Sequence, residues 1–154
     1  LLDQLTKVLA LQFLKDQEPL VLIPGVFELR YLENRGAAFG ILQGKKTFFV
    51  VFTLIILAVL VYLFLKKIPT QKRFFFMNAI CVLFFAGAIG NFIDRVMRNY
   101  VVDFFYFSLI DFPIFNVADI YVTVAAFAMI FFGLFYYKEE DFNQIFPSKK
   151  PAEK

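Results

Sequence analysis

The sequence predicts an α-helical integral membrane protein: a four-transmembrane-helix bundle, its first helix truncated in this chain, with a small extracytoplasmic β-sheet. Three observations carry that expectation. The 154 residues are 60% hydrophobic, with 24 phenylalanines and a mean hydropathy of +0.69, far from the composition of a soluble domain of this size. Residues 48–65, 74–93 and 120–137 carry no charge, so each can cross roughly 27 to 30 Å of hydrocarbon as a helix. Between the first residues and those runs, a short segment switches to the period of a strand.

Residues 1–15 read as the far end of a first helix, because LLDQLTK is amphipathic and too short to span, and neither an initiator Met nor a signal-peptide pattern precedes it. Residues 16–47 follow as an extracytoplasmic sheet and loop. There Pro24-Gly25 makes a turn, and FELRYLE sets Phe27, Leu29 and Tyr31 on one face of a strand. The NRGAAFG stretch after it is expected to close over a substrate, with Gly36 and Gly40 as hinges; the plainer alternative is a fixed turn packed on the membrane by Phe39. Residues 138–154, rich in Lys, Glu, Asp and Pro, are expected to form a loosely ordered cytoplasmic tail. No internal repeat is visible, so the whole of 1–154 reads as one membrane-embedded domain.

Basic residues set the orientation. Lys66, Lys67, Lys72 and Arg73 fill the loop between the first two spans, and Lys138, Lys149 and Lys150 follow the last, which places both on the cytoplasmic side. Lys45 and Lys46 before Phe48, and Arg95 and Arg98 after Ile93, vote the other way. Residues 8–47 and 94–118 are then outside. The net charge of +3 and a pI near 9.0 reflect these flanks and not a nucleic-acid patch.

What the chain lacks removes several chemistries. With no histidine, there is no Ser-His or Cys-His pair and no His-bound metal. Cys81 is alone, every lysine except Lys7 reads as an exposed flank, which disfavours a Ser-Lys pair at Ser108 or Ser148, and no GxxxxGK phosphate loop occurs. Carboxylates, amides and water remain.

These polar residues gather at the outer helix ends. Asn91, Asp94 and Arg95 are spaced i, i+3, i+4 and share a helix face, while Ala86 and Gly90 four apart let a neighbouring helix approach. Asn116 and Asp119 lie at the start of the last span, and Asp103 sits on the connection. Each has a bland reading: Asn116 and Asp119 as a capping box, Asp94 with Arg95 as an interfacial ion pair, Asp111 and Asn34 as turn residues, and Asp3 with Lys7 as a helix salt bridge. As a set they suggest more, because an ionisable residue at membrane depth is costly. Asp103 and Asp119, facing one another, can share a proton and divide the roles of general acid and general base, as in aspartic proteases. A small proton-coupled transporter would use the same aspartates nearer mid-membrane, and a scaffold protein would not need them.

Five motifs in order, DQLTK (3–7), NRGAAFG (34–40), AGAIGNFIDR (86–95), VVDF (101–104) and FNVAD (115–119), resemble those of lipoprotein signal peptidase, the bacterial type II signal peptidase. The resemblance runs from Asp3 to beyond Asp119. It implies a catalytic dyad of Asp103 and Asp119. Asn34, Gly36, Asn91, Asp94, Arg95 and Asn116 would line and support the site, and Asp3 and Lys7 would brace the first helix. It further implies a fold of four transmembrane helices with a small outer sheet in the bacterial cytoplasmic (inner) membrane, the active site facing outward. The implied activity is removal of signal peptides from diacylglyceryl-modified prolipoproteins without metal or cofactor. Prolipoproteins and membrane lipid would be its partners, and globomycin-type compounds its inhibitors. Ala86-Gly87 stands where the family often has Gly-Gly, Ile120 where it has a small polar residue, and Ala125 where it has glycine. Those departures bear on packing and substrate fit, not on the implied chemistry. The other intramembrane aspartyl protease motif, GxGD, is absent.

Overall fold

Three helices long and apolar enough to cross a membrane run through the computed structural model, which describes residues 1–36 and 45–147. The first of them, α2 (Lys46–Tyr62), continues through a single π turn at Leu63–Lys67. Its outer face leaves Phe52, Ile55 and Val59 about half exposed, as suits a helix that is apolar all round and meets lipid. The second is α3 (Phe75–Arg98) and the third α4 (Val117–Phe135), which packs along α3. A fourth helix, α1 (Leu2–Phe13), is too short to span at 12 residues and lies against α4 and the sheet.

The sheet has three antiparallel strands in the order β1 (Leu20–Ile23), β2 (Phe27–Asn34) and β3 (Val101–Tyr106). The Pro24-Gly25 turn forms as expected: Gly25 takes φ +69°, a left-handed conformation that glycine adopts without steric cost, and the Val26 N–H closes on the Ile23 carbonyl at 3.0 Å. Leu29 and Tyr31 pack inward on Ala10, Leu14, Val102, Phe104 and Val117, the core that ties sheet, α1 and α4 together. Fully burying a side chain such as Val102 or Phe104 contributes about 1.5 to 3 kcal/mol.

Residues 94–98 continue α3, in keeping with the shared helix face of Asn91, Asp94 and Arg95; the helix stops at Asn99, whose φ of +68° suits asparagine as a C-cap. Residues 101–106 form a strand, because VVDFFY is covered on both faces over its first four residues and so shows no alternation to read. The loosely ordered tail that was expected needs correction over its described residues: α5 (Glu139–Ile145) packs Ile145 into a second core with Phe74, Cys81 and Tyr137. Arg73 donates to Asp141 from across the loop, which holds that carboxyl down at about 2. The hinge expected in NRGAAFG falls largely on residues 37–40, outside the described residues.

Candidate active site

Strand register builds one side of the site. Asn34 pairs with Val101 and Leu32 with Asp103, so Asn34 and Asp103 are diagonal neighbours on one sheet face, and the Asn34 amide donates to Asp103 Oδ2 at 2.8 Å. The chain then returns along β3, with the Phe115 carbonyl accepting from the N–H groups of Phe104 and Phe105. That return delivers Asn116 beside Asp103. The Asn116 amide donates to Asp103 Oδ1 at 2.6 Å, so each oxygen of this buried carboxylate is met by an N–H.

Asn116 is also the N-cap of α4. Its side-chain oxygen accepts the Asp119 N–H at 3.0 Å, and Asp119 Oδ2 accepts the Asn116 N–H at 3.1 Å, a complete capping box. The bland reading of this pair is therefore real, and it leaves Asp119 Oδ1 free to accept from Asn91 at 2.8 Å. Capping and a reactive role do not compete, because the cap uses one oxygen and fixes where the other points. An Asn116 contact to Asn91 Oδ1 at 3.1 Å joins the two carboxylates into one chain: Asp103, Asn116, Asn91, Asp119.

Beneath this chain lies a buried charge cluster. Lys7 sits 3.0 Å from Asp3, 3.1 Å from Asp94 and 2.8 Å from Asn91 Oδ1. Asp94 also takes Arg98, one turn on, and its Oδ2 accepts the Val102 N–H at 3.1 Å, which pins the start of β3 to α3. Asp94 thus pairs with Lys7 and Arg98, not with Arg95 as the adjacent positions suggested. Arg95 instead donates to the Gly36 carbonyl at 3.3 Å and lies over the Phe49 ring. Asp3 reaches from α1 to accept the Ala118 N–H at 2.8 Å, a second cap on α4. Among the described residues, no buried side-chain nitrogen or oxygen lacks a hydrogen-bond partner.

All ten residues expected at the site therefore meet at one end of the bundle. Two that contribute were missed. Gln4 donates to the Gly90 carbonyl at 3.1 Å and to Asp94, and nothing in its position signals this. Arg98 lies four residues after Asp94, a spacing that did carry a signal. Close approach was expected of Ala86 and Gly90, but Gly87 is Gly90's buried companion in contact with α4.

The carboxylates open into a cleft of about 890 Å³. Asn34, Asn91 and Arg95 form its polar wall, and Phe112, Ile114, Ile120 and Val124 its apolar one. A smaller hollow of about 300 Å³ between α2 and α3 is lined by apolar side chains and Cys81, with no acid, base or amide to act on a peptide. Burial, and then the neighbouring Asp119, push Asp103 up to about 7 against the donors from Asn34 and Asn116. Two carboxyls, the buried one of Asp103 raised in this way, in a cleft polar on one side and apolar on the other, suit acid–base hydrolysis. Among the described residues, no three Asp, Glu or Cys side chains converge to hold a metal ion.

The family model described as signal peptidase (SPase) II matches residues 1–135. The chain is 43% identical over 140 residues to the lipoprotein signal peptidase of Streptococcus thermophilus strain CNRZ 1066, covering 91% of this chain and 88% of that one. It is 39% identical over 150 residues to that of Caldicellulosiruptor bescii, covering 97% and 92%. A bacterial membrane enzyme structure obtained by the in meso method at 2.3 Å superposes with a TM-score of 0.79 at 38% identity, over 99% of this chain and 88% of the other.

Proposed function

The chain belongs to the signal peptidase II family, and we propose that it removes the signal peptide of prolipoproteins with Asp103 and Asp119 as its reacting pair. It is a multi-pass membrane protein and an aspartic endopeptidase by family, and the names of its relatives support prolipoproteins as substrates and give the transporter reading no support. One observation carries the reaction proposed here: two carboxylates, that of Asp103 buried, joined through two asparagines at the wall of one cleft.

In this reading Asp119, at the positive end of the α4 dipole, is the ionised base, and Asp103 holds the proton. Asp119 takes a proton from water as the oxygen attacks the scissile carbonyl, and Asp103 protonates the carbonyl oxygen. Collapse of the gem-diol returns that proton to Asp103, and Asp119 passes its own to the leaving amine. The substrate class we propose is a prolipoprotein with a diacylglyceryl-modified cysteine, its lipid and signal helix lying on Phe112, Ile114, Ile120 and Val124 within the bilayer. Amphiphilic peptide inhibitors of the globomycin type would compete for the same cleft.

Orientation follows from charge. Lys66, Lys67, Lys72 and Arg73 stand at the other end of α3 from Asn91, and that helix of 24 residues is about 36 Å long. A cytoplasmic location for those cations puts the cleft at the outer face of a bacterial inner membrane, where carboxylates cost less than at its centre.

Purified protein in detergent is expected to cleave a diacylglyceryl-modified prolipoprotein, seen as a gel shift, and to leave the unmodified precursor intact. Failure to cleave either would overturn the proposal. The kcat/KM profile is expected to fall on the alkaline side with a midpoint near 7, where Asp103 loses its proton. Stability should follow the same group. Asp103 binds its proton more tightly folded (about 7) than unfolded (3.8), so its contribution is full below about pH 4 and is lost as pH rises through about 7. Melting curves at pH 5 and pH 8 check this: the difference should shrink in Asp103→Asn.

A further inference from the structure

Each of the three site asparagines has a donating end and an accepting end, and the site uses them alike. The NH2 group faces a carboxylate, and the oxygen faces a group that can only donate. For Asn34 that donor is the Gly36 backbone N–H, at 3.0 Å. For Asn116 it is the Asp119 backbone N–H, also at 3.0 Å. For Asn91 it is the Lys7 ammonium, at 2.8 Å. Turning any of these amides end for end would set oxygen against carboxylate and NH2 against a donor, a loss on both sides.

Two of the three locks come with the backbone. The lock on Asn91 is made by side chains alone, the Lys7 ammonium at 2.8 Å and the longer contact from the Asn116 NH2 group at 3.1 Å. Lys7 is fully buried and has three N–H donors, which match three acceptors: Asp3 Oδ2, Asp94 Oδ2 and Asn91 Oδ1. Bracing of α1 accounts for the first two contacts. It does not require the third.

We infer that Lys7 is a positioning residue for the reaction, fixing the polarity of the Asn91 amide so that its NH2 group holds Asp119 Oδ1 facing the cleft. This rests on the reading of Asp103 and Asp119 as the reacting pair. The charged groups around the path are Asp3 on α1, Asp94, Arg95 and Arg98 on α3, Asp103 on β3 and Asp119 on α4. Lys7 also acts on the pair at longer range, its charge drawing Asp103 down against the larger upward push of burial and Asp119.

A double-mutant cycle in kcat tests it, using Lys7→Met, Asn91→Ala and both together in the full chain, each measured per folded protein with a diacylglyceryl-modified prolipoprotein. Lys7→Met is expected to lower kcat by about tenfold or more with KM within about twofold, and to move the acid limb of the pH–rate profile to higher pH by about one unit. In the Asn91→Ala background the same change should cost less than about twofold, and Lys7→Arg should recover part of the loss. Multiplicative losses with an unmoved pH profile would mean that Lys7 only braces α1, and would overturn the inference. Should Lys7→Met not fold, Asp3→Asn/Lys7→Met removes one charge of each sign and leaves Asp94 paired with Arg98; it is read against Asp3→Asn by the same criteria. Asp103→Asn and Asp119→Asn serve as controls. If those retain cleavage, the reacting pair is misassigned and this inference falls with it; if they do not and the cycle is multiplicative, only the inference fails.

Discussion

Asp103→Asn and Asp119→Asn are each expected to lower cleavage of a lipidated prolipoprotein by at least about 10³-fold, and the double variant to be no worse than the worse single one. Non-additivity follows from the mechanism, since one proton passes between two groups and loss of either stops the transfer. The two variants should differ in the folded state. Both oxygens of Asp103 accept side-chain amide N–H groups, from Asn34 and Asn116, so an amide at 103 must turn its own NH2 toward one of those donors. Asp119 accepts one amide and one backbone N–H, and the backbone donor cannot turn away. An amide at 119 can therefore satisfy the cap with its oxygen but must oppose Asn91 with its NH2. All three asparagine amides are held, so one such conflict arises at either position, but Asp119→Asn also removes the negative charge that favours the N-terminus of α4. Asp119→Asn is thus expected to melt at lower temperature than Asp103→Asn, both being equally inactive. Initial rates together with melting curves in detergent decide it. Cleavage above about a tenth of wild type in either folded variant would remove that aspartate from the mechanism.

How much of this was legible beforehand depended on whether a residue's role is local. The spans were plain because hydrocarbon demands long uncharged runs, and the Pro24-Gly25 turn was plain because two residues specify it. Asn116 and Asp119 were readable as a cap for the same reason, and the cap is there. Strand β3 was hidden because a strand buried on both faces loses its period-two pattern, and α5 because the Arg73–Asp141 contact that ties it down joins positions 68 apart. The partner of Asp94 was misjudged by adjacency: on a helix, Arg98 is its neighbour and Arg95 is not. Lys7 reads as a salt-bridge partner of Asp3 from its spacing, and so it is. Its contact with Asn91 joins positions 84 apart, and no pattern within α1 announces it.

Gly87→Ala is expected to do more damage than most substitutions outside the cleft. A Cβ at position 87 would lie 2.6 Å from the Ala118 carbonyl oxygen and 2.6 Å from Val122 Cγ2. The first of these is backbone and cannot rotate away, so α3 and α4 must separate by about 1 Å where Gly87 meets Ala118, and such overpacking costs about 1 to 3 kcal/mol. The geometry of the site should suffer more. Asn91 lies one turn beyond Gly87 on α3, and Ala118 precedes Asp119 on α4, so the separation acts on the 2.8 Å bond between Asn91 and Asp119. A misplacement of about 1 Å at a reacting group costs about 10²-fold in rate, and kcat is expected to drop by that order, with a smaller change in KM. Gly133→Ala on the same α4 is the control: nothing lies within 4 Å of its added Cβ, so the higher helix propensity of alanine should leave activity unchanged and stability equal or higher by up to about 1 kcal/mol. Loss of activity in both would point to helix flexibility as the sensitive property. Loss in Gly87→Ala alone identifies the contact distance between α3 and α4 as what keeps Asn91 and Asp119 within hydrogen-bonding reach.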